Sequence, residues 1–73
     1  MIIKKLINKD NSEHIALLSI TGYYITDSGD LLTLEELKKE YNVYDISEEE
    51  IKKKFKDSID NMLFYYGVKI FRK

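Results

Sequence analysis

The feature that most constrains the fold of this chain is an apolar stripe in its second half. The stripe starts directly after Ser47-Glu48-Glu49-Glu50, a pattern typical of a capped helix start. Apolar residues then recur mostly at spacings of three and four, the period of one helical face, at Ile51, Phe55, Ile59, Met62, Leu63 and Tyr66. The stripe predicts one long amphipathic helix that must be covered by a second layer, and Gly67 is the expected helix end.

The first half of the chain is predicted to form β-strands. Ile2 to Ile7 is rich in β-branched residues and ends in a polar run, Asn8 to Ser12, that suits a turn. A second extended stretch is expected over Ile15 to Ile25, where Gly22 marks a bulge or a bend before a third short strand. The alternative for this stretch is a helix capped by Ser12.

Two further elements complete the predicted fold. Thr33-Leu34-Glu35-Glu36 is interpreted as a capping box for a short helix that runs to about Tyr41. After Gly67, Val68 to Arg72 is predicted to return as a short strand beside the N-terminal hairpin. The predicted fold class is therefore α+β, with a small antiparallel sheet (N-terminal hairpin plus C-terminal strand) packed by one short and one long amphipathic helix.

Length and composition limit the classes of protein that remain. With 73 residues the chain can build one small core, so a single domain over residues 1–73 is predicted. The absence of cysteine excludes disulfides, thiolate nucleophiles and cysteine-ligated metal sites. Lysines interrupt the apolar residues of Met1 to Ile7, unlike a secretory signal, and no apolar run is long enough to span a membrane. We therefore expect a cytoplasmic protein, and the many residues with AT-rich codons favour a low-GC bacterium or a phage or other mobile element as its source.

The basic run Lys52 to Lys54 is interpreted as part of a solvated helix face. Each lysine follows a glutamate of Glu48 to Glu50 by four residues, the favoured spacing for ion pairs along a helix. The 12 basic and 13 acidic residues give a formal net charge of −1, so the chain is not cationic as a whole. A helix-turn-helix is disfavoured because its second helix would present three glutamates to DNA.

No pattern in the sequence indicates catalysis. His14 is the only histidine, and no neighbouring residue is nominated as its partner, so we interpret it as an ordinary surface or strand-end histidine. The acidic segment Asp27 to Asp30 lacks the ligand spacing of a calcium loop and is predicted to be a turn. We predict no catalytic residue, no cofactor, no metal site and no small-molecule ligand, and we expect that the protein is not an enzyme.

Nine aromatic residues in so short a chain are the one pointer to function. Tyr23-Tyr24 and Tyr65-Tyr66 are adjacent pairs, so both members of a pair do not face one core. Phe64 falls on the polar side of the predicted helix. Because tyrosine and phenylalanine anchor protein interfaces, we predict a protein-binding module that acts as a homo-oligomer or as an accessory or inhibitory factor. The candidate interface residues are Tyr23, Tyr24, Phe64 and Tyr65.

A nucleic-acid-binding regulator is the alternative function. Cationic and aromatic residues interleave near the C-terminus, a combination that suits phosphates and stacked bases. The candidate contacts are Lys69, Phe71, Arg72 and Lys73. Nucleic acid is the less favoured partner because a charged strand at a sheet edge explains the same residues.

Overall fold

A computed structural model describes residues 2–71 of the chain, with side chains through residue 67. Its first part forms an antiparallel sheet of five strands in the order β4-β3-β2-β1-β5. The elements of this part are β1 (Ile3–Ile7), β2 (Glu13–Leu18), β3 (Tyr24–Thr26), β4 (Leu31–Leu32), helix α1 (Leu34–Glu40) and β5 (Asn42–Asp45). The predicted α+β class and the predicted short helix are confirmed, and the alternative of a helix starting at Ser12 is wrong.

The predicted long helix follows β5, and it is confirmed. It consists of a short helix α2 (Glu48–Glu50), a π-helical turn (Ile51–Phe55) and helix α3 (Lys56–Phe71). We refer to these three pieces together as the C-terminal helical segment. Phe55, Ile59 and Met62 of the predicted stripe are buried against the sheet. The stripe therefore has the role that its periodicity predicts.

The predicted C-terminal strand is wrong over the residues that the structure describes. Residues 68–71 continue α3, Gly67 lies inside the helix rather than at its end, and Arg72 lies outside the described residues. The position beside β1, where this strand was expected, is occupied by β5. Because β1 has one neighbour on each side, β2 and β5, no place beside it is left for another strand.

The centre of the sheet is buried on both faces, which explains the composition of β2. Successive residues of a strand point to opposite faces, and Ile15, Ala16 and Leu17 are all fully buried. One core cluster lies under the C-terminal helical segment and contains Ile15, Leu17, Ile25, Phe55, Ile59 and Met62. The other cluster lies under α1 and contains Leu6, Ala16, Tyr24 and Leu37. The protein therefore has three layers, with the sheet in the middle.

Both helix starts are capped as predicted, but they differ in detail. Thr33 Oγ1 accepts a hydrogen bond from Glu36 N at 3.2 Å, and Glu36 Oε1 accepts one from Thr33 N at 2.9 Å. This second bond holds the pKa of Glu36 below its usual range. Ser47 Oγ likewise accepts from Glu50 N, but the Glu50 carboxylate accepts a hydrogen bond from Lys5 Nζ at 3.0 Å instead of closing the box. This hydrogen bond therefore links the second helix start to strand β1 of the sheet.

The predicted ion pairs along the C-terminal helical segment are not formed. Within residues 2–67, no glutamate of Glu48 to Glu50 lies within 4.0 Å of the lysine four positions later. The π-helical turn explains this, since hydrogen bonds spanning five residues widen the turn and move those positions out of line. Lys5 instead bridges Glu50 and Glu13, at 3.0 and 3.1 Å, and these contacts raise the pKa of Lys5.

Gly67→Ala is expected to raise the free energy of unfolding by about 0.5–1 kcal/mol, because alanine costs less backbone entropy than glycine inside a helix. Among the described residues, and apart from its chain neighbours and its own helix backbone, a Cβ atom at Gly67 would meet no atom within 4 Å, so it introduces no clash with them. Urea denaturation followed by far-UV circular dichroism measures the change. A loss of stability would indicate a left-handed helix end at Gly67 and would contradict the helix described here.

Candidate functional site

Phe64 and Tyr65 lie on the solvent side of α3 and form what we call the aromatic patch. Their side chains are 82% and 73% exposed, the highest values among the exposed large hydrophobic residues that the structure describes. The two ring centroids are 5.2 Å apart and the rings are nearly perpendicular, an edge-to-face arrangement that aromatic pairs favour. Ile59 and Met62 on the same helix are buried, so the outward orientation predicted for Phe64 is confirmed.

The other two candidate interface residues have different positions. Tyr24 is buried in the core cluster under α1 and is not available to a partner. Tyr23 is 46% exposed in the turn between β2 and β3. Antiparallel pairing places this turn at the opposite end of the sheet from the β3–β4 turn, beside which Tyr65 lies. The structure therefore does not bring Tyr23 together with the aromatic patch.

The residues of the alternative nucleic-acid site lie at or beyond the C-terminal end of the described part of the chain. Lys69 and Phe71 belong to the last turns of α3, and their side chains are outside the described part of the chain. Arg72 and Lys73 also lie outside the described residues. The predicted basic and aromatic strand is thus a helix where its backbone is described.

A cleft of about 340 Å³ lies beside the aromatic patch, between α3 and the β3–β4 turn. It is lined by Asp27, Ser58, Asn61, Met62, Tyr65 and Tyr66. At one point helix and turn approach closely: the Tyr66 hydroxyl oxygen is 2.8 Å from where a Cβ atom would stand at Gly29. Gly29 also has φ of +93°, a backbone conformation that L side chains rarely adopt. Both the backbone conformation of the turn and the close packing of Tyr66 therefore favour glycine at position 29.

The four polar groups around this cleft can all accept hydrogen bonds, and all except the Asp27 carboxylate can also donate them. Asp27 contributes a carboxylate, Asn61 an amide, and Ser58 and Tyr66 contribute hydroxyl groups. Within residues 2–67, Ser58, Asn61 and Tyr66 have no side-chain hydrogen bond. None of the lining residues given above is a lysine or an arginine. The cleft therefore offers acceptors and an aromatic wall without a fixed positive charge.

His14 lies near the start of β2, as expected for a strand-end histidine, and it has hydrogen-bond partners that no sequence pattern indicated. Its Nδ1 lies 3.1 Å from Asp27 Oδ2, and its Nε2 lies 3.0 Å from Ser12 Oγ. Ser12 Oγ in turn donates to Asp10 Oδ1 at 2.5 Å, and the Ser12 N–H donates to the same oxygen. These bonds lower the pKa of Asp10. The four residues form one hydrogen-bonded chain between the β1–β2 turn and the β3–β4 turn.

Within this hydrogen-bonded series, Ser12, His14 and Asp27 follow one another in the order of a hydrolase triad. The direction of the serine hydroxyl proton is different, however. A hydroxyl has one proton and the Asp10 carboxylate only accepts, so Ser12 donates to Asp10. The Ser12 hydroxyl proton is therefore directed at Asp10 and not at His14 Nε2. The observed arrangement therefore joins two turns through hydrogen bonds.

Tyr41 packs at the edge of this polar chain. Its ring centroid is 6.1 Å from that of His14. Burial raises the pKa of Tyr41, and the nearby carboxylates of Glu40, Asp27 and Asp30 raise it further. The phenol consequently stays protonated and neutral beside several acidic groups.

The part of the chain that the structure describes has neither a cluster of metal ligands nor a membrane-spanning helix. Among residues 2–67, no three histidine, aspartate or glutamate side chains converge as metal ligands. No described helix has the length and apolar character needed to cross a membrane. Comparison of the chain with family models, curated proteins and solved structures finds no match.

Proposed function

We propose that this protein is a non-enzymatic protein-binding module that contacts its partner through the aromatic patch. The observation that supports this proposal is the exposure of Phe64 and Tyr65, at 82% and 73%. A covered phenylalanine or tyrosine buries about 150–250 Å². Two such side chains together approach the ~300–600 Å² of the largest apolar patch on a typical monomer, and patches of that size are often functional.

The rigid support of the patch favours binding over accidental exposure. Both residues lie on α3, which is held to the sheet by Ile59 and Met62 in the buried core. Aromatic side chains on a fixed helix lose little rotamer entropy when a partner covers them. The partner is either a second copy of the chain or another protein on which it acts as an accessory or inhibitory factor. Tyr23 lies at the other end of the sheet and is not included in this contact.

The double variant Phe64→Ser, Tyr65→Ser tests the proposal. We expect it to weaken self-association or capture of a host protein at least about tenfold, because interface aromatics dominate binding energy. Light scattering over a concentration series measures self-association, and quantitative pull-down from host lysate measures capture. Tyr44→Ser is the matched control, since Tyr44 is 52% exposed on β5, outside the patch.

Two results would contradict the proposal. One is a double variant whose oligomeric state and captured proteins equal those of the unmodified protein. The other is binding to a nucleic acid with an affinity that falls steeply with salt, as expected for phosphate contacts. An aromatic interface responds little to ionic strength, so a salt titration separates the two functions.

A further inference from the structure

The cleft beside the aromatic patch is adjacent to the proposed interface and has unused polar groups. Tyr65 belongs to both, since it is part of the patch and also lines the cleft. A partner that covers Tyr65 therefore also reaches Asn61 and Ser58. Resting on the proposed protein-binding function, we propose that the cleft receives an arginine side chain of the bound partner.

Charge is the first reason for this assignment. Asp27 is the one charged residue among the residues lining the cleft, and it carries a negative charge. Asp30 lies in the same turn. His14 pairs with the Asp27 carboxylate, but that side chain still keeps 25% of its surface exposed. A cationic side chain complements this surface, whereas an acidic one would meet like charge.

Hydrogen-bonding geometry is the second reason, and it favours arginine over lysine. The guanidinium group is planar and carries five N–H donors, while lysine presents a compact point charge. The cleft supplies acceptors from separate directions: the Asp27 carboxylate on the turn, and the Asn61 amide and Ser58 hydroxyl on α3. A donor-rich, planar group can contact several of these acceptors at once.

The aromatic wall is the third reason. Tyr65 is 73% exposed, so most of its ring is free to be covered. A guanidinium plane stacks on such a face, and cation–π attraction adds to the hydrogen bonds. The rings of Phe64 and Tyr65 are in an edge-to-face arrangement, which helps to hold the Tyr65 ring in place. The same ring thus serves as an apolar contact and as a platform for the cation.

Titration of ¹⁵N-labelled protein with three short peptides tests the inference by nuclear magnetic resonance. The probes are acetyl-Leu-Arg-Leu-amide, the same peptide with lysine, and the same peptide with citrulline, which keeps the shape of arginine without its charge. We expect the arginine peptide to shift the backbone signals of Asp27, Ser58, Asn61 and Tyr65 in a saturable way. Binding of the citrulline peptide is expected to be at least about fivefold weaker.

Variants connect the signal shifts to the cleft. Asn61→Ala and Tyr65→Leu are each expected to weaken arginine-peptide binding by about threefold or more. Asp60→Asn is the matched control, because Asp60 is an exposed acid on the same helix that does not line the cleft. The control is expected to bind like the unmodified protein. Asp27→Asn also disturbs His14, so its fold must be checked by circular dichroism before its affinity is compared.

Several outcomes would overturn the inference. Equal binding of the arginine, lysine and citrulline peptides would show that charge and shape are not recognised, and signal shifts away from the cleft would place the peptide elsewhere. The proposed function has a separate outcome. If Phe64→Ser, Tyr65→Ser loses its partner while Asn61→Ala and Asp27→Asn retain it, the aromatic patch binds the partner and the cleft does not.

Discussion

Leu37→Ala is expected to lower the free energy of unfolding by about 3 kcal/mol. Leu37 is the only buried residue of α1, and it is fully buried in the core cluster that this helix forms with the sheet. Truncation removes the apolar surface that holds α1 in place and leaves a cavity above Leu6 and Ala16. A domain of this size has a total stability of only about 3–5 kcal/mol, so a large part of the variant should be unfolded near room temperature.

Urea denaturation followed by circular dichroism measures this loss, with Leu31→Ala as the control. Leu31 is the same residue type in the edge strand β4 but is 48% exposed, so its truncation should cost less than about 1 kcal/mol. If both variants lost the same small amount, α1 would not be anchored to the sheet. The second core cluster would then contribute little to the fold.

Gly29→Ala is expected to destabilise the protein by about 2–3 kcal/mol for two separate reasons. The φ of +93° at Gly29 is strained for any residue with a Cβ atom, which alone costs about 1–2 kcal/mol. The added Cβ would also stand 2.8 Å from the Tyr66 hydroxyl oxygen and force the ring to move. Thermal or urea unfolding of the variant measures the sum of both effects.

Gly22→Ala separates the two reasons, because Gly22 has nearly the same φ, +91°, but open space around its Cβ position. We expect it to cost only the backbone part, about 1–2 kcal/mol. Tyr66→Phe removes the clashing oxygen, so in the Gly29→Ala background it should restore part of the stability. A double-mutant cycle measures this coupling. Equal costs at Gly22 and Gly29, with no coupling to Tyr66, would contradict the close contact between the turn and α3.

Elements with local signals were predictable from the sequence, and elements set by long-range pairing were not. The capping box at Thr33 and the stripe from Phe55 to Met62 depend on residues a few positions apart, and both are present as predicted. The C-terminal strand failed because β-branched residues favour strands only where a sheet edge receives them. Asn42–Asp45 occupies that edge through its pairing with β1, which no local pattern indicates.

The candidate site likewise has one feature that a local pattern predicts and others that depend on long-range contacts. The outward position of Phe64 follows from helical periodicity alone, since it lies out of phase with the apolar stripe. The pairing of His14 with Asp27 joins residues 13 positions apart, and the cleft joins Asp27 to residues on α3 more than 30 positions later. These contacts depend on which turns the antiparallel pairing brings to one end of the sheet. No local pattern in a single sequence indicates these contacts, so they could not be predicted.

The central position of β2 restricts how this sequence can change over evolutionary time. In a sheet with one wet face, every second residue of a strand can vary freely, but here Ile15, Ala16 and Leu17 all face a filled core. A polar residue at any of the three would leave an unpaired group in an apolar layer. Divergence should therefore accumulate in the turns and on the outer surface of α3, while this tripeptide keeps its size and apolar character.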